Sequence, residues 1–203
     1  MIKLKHILLD QYDNWKPWDF TYKTSLPAEM TAKIQKLSPN IQSKAKELCK
    51  AWLKDGYDFY IRHSIRTWED QDKAYNRGTA KIKGGSGVHE YGRAMDIRLL
   101  KGNPSFDPDL DEDGTPTTWS KEVGGSDAPT PEMLNIAKNL GWESGGLDWG
   151  WDWYHIQYTD EFTNKKGGDK EFICKYGKEE IKKVQPENLE KYNNYIKSKC
   201  KET

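Results

Sequence analysis

Cysteine, signal-like segments and long hydrophobic runs are scarce in this 203-residue sequence, and each scarcity narrows the class of protein. The three cysteines, Cys49, Cys174 and Cys200, are odd in number and widely spaced, so they predict neither a disulfide framework nor a cysteine metal site. We therefore expect synthesis in a reducing cytoplasm. No stretch approaches the roughly 20 apolar residues of a membrane span. The apolar run near the N-terminus is too short for a signal peptide.

The chain also lacks an excess of positive or negative charge. The chain has 32 basic and 32 acidic residues and a mean hydropathy of −0.98. A nucleic-acid partner is not expected, because there is no basic field, no zinc-finger spacing and no aromatic RNA-binding motif. The length suffices for one domain with a core, or for one domain and an appendage. We expect a monomer.

Two of the four histidines lie in short segments that also carry carboxylates. Gly92 interrupts the chain after His89, which predicts that His89 lies in a turn. From Arg93 onward the residues alternate as in a half-buried strand, so Asp96 faces away from the core, on the side that His89 reaches. Small Ala94 would leave room on that face. The core face of this strand would carry Met95, Ile97 and Leu99.

A second short strand is predicted around His155, with His155 and Gln157 on one face and three apolar or aromatic residues on the other. Asp152 precedes His155 by three residues, just before this strand, and could reach a metal-held water without being a ligand. Two imidazoles and one carboxylate, with a second carboxylate beside them, are what a catalytic zinc site needs. The two segments together therefore predict such a site.

Residues 86–96 resemble the Ser-x-His-x-x-Gly-x-Ala-x-Asp motif of the D-alanyl-D-alanine carboxypeptidase / L-alanyl-D-glutamate endopeptidase family, whose members are zinc peptidases that cut peptidoglycan stem peptides. Residues 152–155 resemble the second motif of the family, and residues 65–71 resemble its Arg-Ser-x-x-x-Gln segment. The likeness extends over roughly residues 38–158. It implies the zinc ligands His89, Asp96 and His155, the general base Asp152, and Arg66 as the residue that polarises the scissile carbonyl.

The sequence departs from the family pattern at one position. The family serine lies two residues before the first histidine, where this chain has Gly87, whereas Ser86 lies three residues before it. A supporting hydrogen bond is therefore expected to be lost or rerouted, and the zinc ligands are unaffected. Gln71 is expected to support the local structure.

Each predicted site residue also has a structural alternative. His89 could be a solvated turn residue, His155 a hydrogen-bonded core histidine, and Arg66 a surface cation. Asp96 fits such an alternative least well, because Asp is depleted in strands and a buried carboxylate needs a partner. His63 matches no motif and is taken as a structural or surface residue.

The resemblance implies a zinc-dependent peptidoglycan peptidase that hydrolyses stem peptides. We expect an L-alanyl-D-glutamate endopeptidase of the phage-lysin type, which meets the cell wall after phage-mediated release. Three alternatives stay open: a D-Ala-D-Ala carboxypeptidase or dipeptidase, a non-enzymatic, zinc-stabilised binding module like the hedgehog signalling domains, and a structural protein of the virion with the peptidase embedded for cell entry. The presence of Asp152 and Arg66 disfavours the binding module, because binding alone requires neither.

The predicted fold class is α+β, with a small antiparallel sheet that carries the zinc site and helices packed on its other face. We divide the chain into an N-terminal extension (1–37), a zinc peptidase domain (38–163) with an acidic insertion (101–128), and a Lys-rich helical tail (164–203). The tail either binds the wall or a partner, or docks on the catalytic domain. The main helices are predicted from Pro39 to about Lys54, after Thr67 to Asn76, from Pro131 to near Gly141, and from Pro186 to Cys200.

The acidic insertion matches the first half of a calcium loop. Asp109, Asp111 and Asp113 supply oxygens at positions one, three and five, and glycine follows at position six. The twelfth position is Ser120 instead of glutamate, and Glu122 comes two residues late. A Ca²⁺ site and a solvated acidic turn are therefore both open.

Tryptophan is abundant, with nine in the chain, and four crowd the second motif. Trp142 and Trp149 are expected in the core. For Trp151 and Trp153, which flank Asp152, a core position and a cleft wall that grips the substrate are both open.

Overall fold

The computed structural model describes residues 26–78, 80, 82–99 and 127–200. The calcium-loop prediction at Asp109, Asp111 and Asp113 therefore lies outside the described residues. Within them, no helix is long and apolar enough to cross a membrane.

The centre of the described fold is a four-stranded antiparallel sheet. Its strands are β1 (Phe59–His63), β2 (Ala94–Leu99), β3 (Glu143–Ser144) and β4 (Asp152–Gln157), in the spatial order β1-β2-β4-β3. Asp152 is the first residue of β4, whereas the sequence predicted it just before the strand. The predicted α+β class with a small antiparallel sheet is confirmed.

One face of the sheet packs against three helices, as predicted. These are α1 (Ala28–Gln35), α2 (Pro39–Lys54) and α4 (Pro131–Asn139). Alternation in β2 places three apolar residues in this core, and the helices contribute apolar residues at helical spacing. The principal members of the core are Met30, Ile34, Ile41, Leu48, Trp52, Met95, Ile97, Leu99, Met133, Leu134 and Ile156.

The helix starts follow the sequence signals. Thr67 caps α3 (Trp68–Asn76), since its hydroxyl accepts a hydrogen bond from the Asp70 backbone N–H at 3.1 Å. Pro131 opens α4 behind Thr130, and Pro39 opens α2 behind Ser38. These three helices therefore begin where the capping residues and prolines predict.

Residues 168–199 carry two helices that pack around a second apolar cluster, separate from the main core. Helices α5 (Gly168–Val184) and α6 (Leu189–Lys199) surround this cluster with residues of the His89 turn and β2. The cluster consists of Trp68, Val88, Tyr91, Ala94, Phe162, Phe172, Ile173, Ile181 and Tyr192. This part of the chain docks on the rest of the protein. The three-part domain division stays a prediction, although Met30 and Ile34 of α1 belong to the main core.

Buried charges hold α5 in place. Arg93, which directly precedes β2, is 1% exposed, and its Nη2 lies 2.8 Å from Asp160 Oδ2 and 3.5 Å from Glu180 Oε1 of α5. Its guanidinium also lies over the Phe172 ring, 4.8 Å from the ring centre.

Cys174 and Cys200 form a disulfide that joins α5 to the end of α6, with their Cα atoms 5.7 Å apart. The prediction that the cysteines form no disulfide is wrong for this pair, because the return of α6 along α5 brings together residues 26 positions apart. Cys49 is free and buried in the main core.

Candidate metal centre and cleft

Three predicted ligands meet on the face of the sheet that points away from the main core. The nearest nitrogen or oxygen atoms of His89, Asp96 and His155 all lie within 4.8 Å of one another. Asp96 of β2 lies opposite His155 of β4 in the strand register. The short 3₁₀ turn Val88–Tyr91 brings His89 above them.

The turn that carries His89 depends on Gly92. Gly92 has φ +64°, a left-handed conformation that disfavours residues with a Cβ, and a Cβ there would lie 2.7 Å from the Ser38 backbone nitrogen. That nitrogen donates to the Gly92 carbonyl at 2.9 Å. The glycine therefore lets the His89 turn lie directly against the start of α2.

The hydrogen bonds of His89 orient its ring. Its Nδ1 lies 3.3 Å from the Ser64 carbonyl, which can only accept, so Nδ1 carries the proton. Its Nε2 then faces Asp96 Oδ1 at 3.0 Å and His155 Nδ1 at 3.1 Å. This is the tautomer that a metal ligand needs.

Asp96 is the electrostatic centre of the cluster. Burial opposes its charge, but the imidazoles of His89, His155 and His63 hold the pKa of Asp96 well below its ordinary value. Its second oxygen, Oδ2, lies 3.1 Å from His63 Nδ1 and 3.4 Å from Arg66 Nη2. The carboxylate is therefore ionised, as a ligand must be.

Burial lowers the pKa of His89, although Asp96 opposes that effect. For His155, burial also disfavours the charge, but Asp96 and Asp152 outweigh it and raise the pKa above its ordinary value. Two imidazoles and an ionised carboxylate that converge at this distance form a donor set suited to a borderline divalent cation such as zinc. The residues present therefore fit the metal that the sequence predicts.

Asp152 and Arg66 lie in the same cleft, which has a volume of about 1190 Å³. Burial raises the pKa of Asp152, nearby Asp96 adds to the increase, and His155 opposes it. Arg66 Nη1 donates to Gln71 Oε1 at 2.8 Å, and Gln71 in turn donates to the Ile82 carbonyl at 2.7 Å. Gln71 thus holds Arg66 toward the site, in agreement with its predicted supporting role.

The tryptophans divide between core and cleft. Trp142 and Trp153 are buried in the main core, whereas Trp151 is 52% exposed and lines the cleft. Trp149 was expected in the core, but it also lines the cleft, and its ring lies 5.2 Å from that of His155 and 5.6 Å from that of Trp151. The two cleft tryptophans form an aromatic wall beside the metal ligands.

Three residues at the site were not found from the sequence. His63 was taken as a surface or structural residue, yet it contacts Asp96. Glu143 and Asp169 carried no motif, yet both accept hydrogen bonds from Gln157, the neighbour of His155. The sequence did place Gln157 on the same strand face as His155, and this was the available signal that Gln157 and its partners belong to the site.

The departure from the family motif also has a structural counterpart. A Cβ at Gly87 would lie 2.8 Å from Glu90 Oε2 and 3.0 Å from Ile82 Cδ1. Ser86 instead donates to the Tyr195 hydroxyl of α6 at 3.3 Å. The hydroxyl near this position therefore contacts α6, and His89, Asp96 and His155 converge without it.

The chain was compared with known proteins. No family model matches the chain. The chain is 33% identical over 120 residues to the peptidoglycan L-alanyl-D-glutamate endopeptidase CwlK of Bacillus subtilis strain 168. That alignment covers 56% of this chain and 66% of the relative, which is just under two thirds of its length. Among solved structures, the L-Ala D-Glu endopeptidase ChiX of Serratia marcescens matches with a TM-score of 0.41 and 15% identity, over 66% of this chain and 89% of that one.

The identity to CwlK adds to the resemblance that the two motifs around His89 and His155 carry. The chain is therefore similar to the peptidases of the D-alanyl-D-alanine carboxypeptidase / L-alanyl-D-glutamate endopeptidase family. Both relatives described here carry the endopeptidase name.

Proposed function

We propose that His89, Asp96 and His155 bind a zinc ion. The observation that supports this is the convergence of three ligand atoms within 4.8 Å, with each histidine presenting an unprotonated nitrogen when neutral. Three protein ligands leave a fourth tetrahedral position for water or substrate.

We propose further that the protein is a peptidoglycan hydrolase that cuts the L-alanyl-D-glutamate bond of the stem peptide. The 33% identity to an endopeptidase of that name supports this proposal, together with the resemblance of residues 86–96 and 152–155 to the family motifs. The cleft beside the ligands is open enough for an extended peptide, and Trp149 and Trp151 offer flat apolar surface along it.

When bound, zinc would acidify a water molecule and polarise the scissile carbonyl. Asp152 would accept the proton of the attacking water and pass it to the leaving amine, and its raised pKa suits a group that must hold a proton between the two steps. Arg66, held by Gln71, would donate to the oxyanion that develops on the carbonyl oxygen.

The test is digestion of defined peptidoglycan fragments by the purified protein, with zinc, with a chelator, and with zinc restored. Mass spectrometry of the products identifies the bond. Chelator-sensitive cleavage between L-alanine and D-glutamate supports the proposal. Removal of only the terminal D-alanine would establish carboxypeptidase action, and no cleavage by a stoichiometrically zinc-loaded protein would establish a binding module.

A further inference from the structure

We infer that the C-terminal helices complete the metal centre, with Asp169 of α5 acting as a positioning residue for His155 through Gln157. This inference rests on the proposed metal binding by His155. It assigns a role to residues beyond the region that resembles the family.

The first step is the bond on the far side of the His155 ring. His155 Nδ1 faces Asp96 and His89, and His155 Nε2 lies 2.8 Å from Gln157 Oε1. If that amide oxygen faces the ring, Nε2 must carry a proton and donate it. Nδ1 is then left with the free electron pair that a metal requires.

The second step is what fixes the amide. Gln157 Nε2 lies 2.6 Å from Asp169 Oδ1 and 3.2 Å from Glu143 Oε2. Carboxylate oxygens accept, so both must face the NH₂ end of the amide. A flipped Gln157 would set its oxygen against two carboxylates and its NH₂ group against His155. The two acidic residues therefore determine the orientation of the amide, and through it the tautomer of His155.

Glu143 accepts hydrogen bonds from residues other than Gln157, and this makes Asp169 the better residue for testing the link to His155. Glu143 Oε1 accepts from Trp149 Nε1 at 2.6 Å, and its Oε2 also accepts from the Asn164 backbone N–H at 3.2 Å. Asp169 lines the cleft, and its side chain bonds to Gln157. Substitution of Asp169 thus tests the link to His155 without removing the partner of Trp149.

Helix α5 is held where Asp169 can make this bond. A Cβ at Gly168 would lie 2.2 Å from the Phe162 carbonyl oxygen, so the first turn of α5 lies directly against the chain that follows β4. At the other end of the helix, Gln185 Nε2 donates to the carbonyls of Arg66 and Glu90, both at 2.9 Å. One end of α5 therefore contacts the chain that follows β4, and the other end contacts the backbone at Arg66 and beside His89.

The experiment measures zinc affinity by competition with a chromophoric chelator. Asp169→Ala should weaken zinc binding about tenfold or more, because loss of a partner behind a metal-binding histidine costs on that order. Asp169→Asn keeps an oxygen that can accept from Gln157, so it should retain most of the affinity. Glu171→Ala is the matched control, since Glu171 is an exposed acidic residue in the same first turn of α5 and should bind zinc as the wild type does.

Gln157→Leu provides a second variant of similar size that removes the three hydrogen bonds of this side chain, to His155, Asp169 and Glu143. It should also weaken binding about tenfold or more. If Asp169→Ala does not fold without metal, the zinc affinities of Asp169→Asn and Gln157→Leu test the inference instead. Wild-type affinity in Gln157→Leu or in folded Asp169→Ala would overturn the inference and leave the proposed function intact. A wild-type protein without zinc affinity would instead overturn the proposed function. Spectra of the cobalt-loaded variants report whether the ligand geometry has changed independently of activity.

Discussion

At the scale of single residues, the site consists of groups with different protonation requirements placed in one small volume. For the proposed function, Asp96 must be charged, and the nitrogens of His89 and His155 that would face the metal must be free of protons. Asp152 must be able to gain and lose a proton. Burial and neighbouring charges shift the pKa values of these groups in different directions, which is a pattern typical of functional sites.

Asp152→Asn should retain stoichiometric zinc and lose turnover, because the amide cannot accept the proton of the attacking water. We expect kcat to fall by about 10²- to 10⁴-fold. Metal analysis and peptidoglycan digestion measure the two properties separately. The exposed Glu161→Gln is a control that should leave both unchanged, and wild-type turnover in Asp152→Asn would remove Asp152 as the base.

Glu90 gives a prediction for stability against pH. Its side chain is fully buried, it accepts from the Gly85 backbone N–H at 2.6 Å, and burial raises its pKa from 4.5 to about 8. A folded-state pKa above the unfolded value means that the stabilising contribution is present below pH 4.5 and is lost as pH rises through about 8.

The measurement is urea unfolding of the metal-free protein at pH 5 and at pH 9. Glu90→Gln keeps an acceptor for Gly85 but cannot ionise. Relative to this variant, the wild type should lose at least about 1 kcal/mol of unfolding free energy between the two pH values, since one pKa unit corresponds to about 1.4 kcal/mol. Parallel pH profiles of the two proteins would show that Glu90 stays ionised in the folded state.

The sequence was sufficient for those residues whose position follows from a local pattern. Alternation placed Asp96 and His155 on the site face, and the motif placed Asp152 and Arg66. It was insufficient for His63, which has the same parity in β1 as the buried Ile61. The register shifts between Ile61, which pairs with Ile97, and His63, which pairs with Asp96. This irregularity turns His63 out of the core face, and strand periodicity alone cannot indicate it.

At the scale of elements, the helices and strands of the main core followed from capping and periodicity, whereas the packing of α5 and α6 did not. Both helices are amphipathic, and an apolar stripe predicts that a helix docks without specifying its partner. Asp169 and Gln185 contact the site through pairings more than ten residues apart, and such pairings follow from tertiary structure.

Gly92→Ala tests the contact between the His89 turn and α2. The new Cβ would meet the Ser38 backbone, and the left-handed conformation costs about 1–2 kcal/mol. We expect a loss of stability larger than that cost, together with weaker zinc binding. Gly56→Ala is the control, because Gly56 has φ +88° and nothing within 4 Å of the added Cβ, so it carries the conformational cost alone. Equal losses in thermal and urea unfolding would show that the contact with Ser38 is unimportant.

At the scale of the whole molecule, the disulfide closes the C-terminal pair of helices. Replacement of Cys174 and Cys200 by alanine should lower the free energy of unfolding by about 2–4 kcal/mol. Reducing agent should destabilise the wild type by a similar amount and leave the double variant unchanged, which distinguishes the disulfide from side-chain packing. A wild type insensitive to reductant would show that the bond does not form in solution.

The disulfide also bears on where the protein works. Such bonds persist in oxidising surroundings, and the proposed substrate, peptidoglycan, lies in surroundings of that kind. The expectation of synthesis in a reducing cytoplasm and of phage-mediated release stays a prediction. If both hold, the bond between Cys174 and Cys200 would form only after the protein leaves the cytoplasm.

The pairing of β2 with β4 sets Asp96 opposite His155, and β1 adds His63 to the same row across three strands. A shift of β2 by a single residue would direct Asp96 into the apolar core and would expose Met95 and Ile97 to water. If the site binds zinc as proposed, correct alignment of the strands and binding of the ion are coupled. Chains that fold with shifted strands would be identifiable by their failure to retain zinc, and added zinc would favour the correctly aligned population.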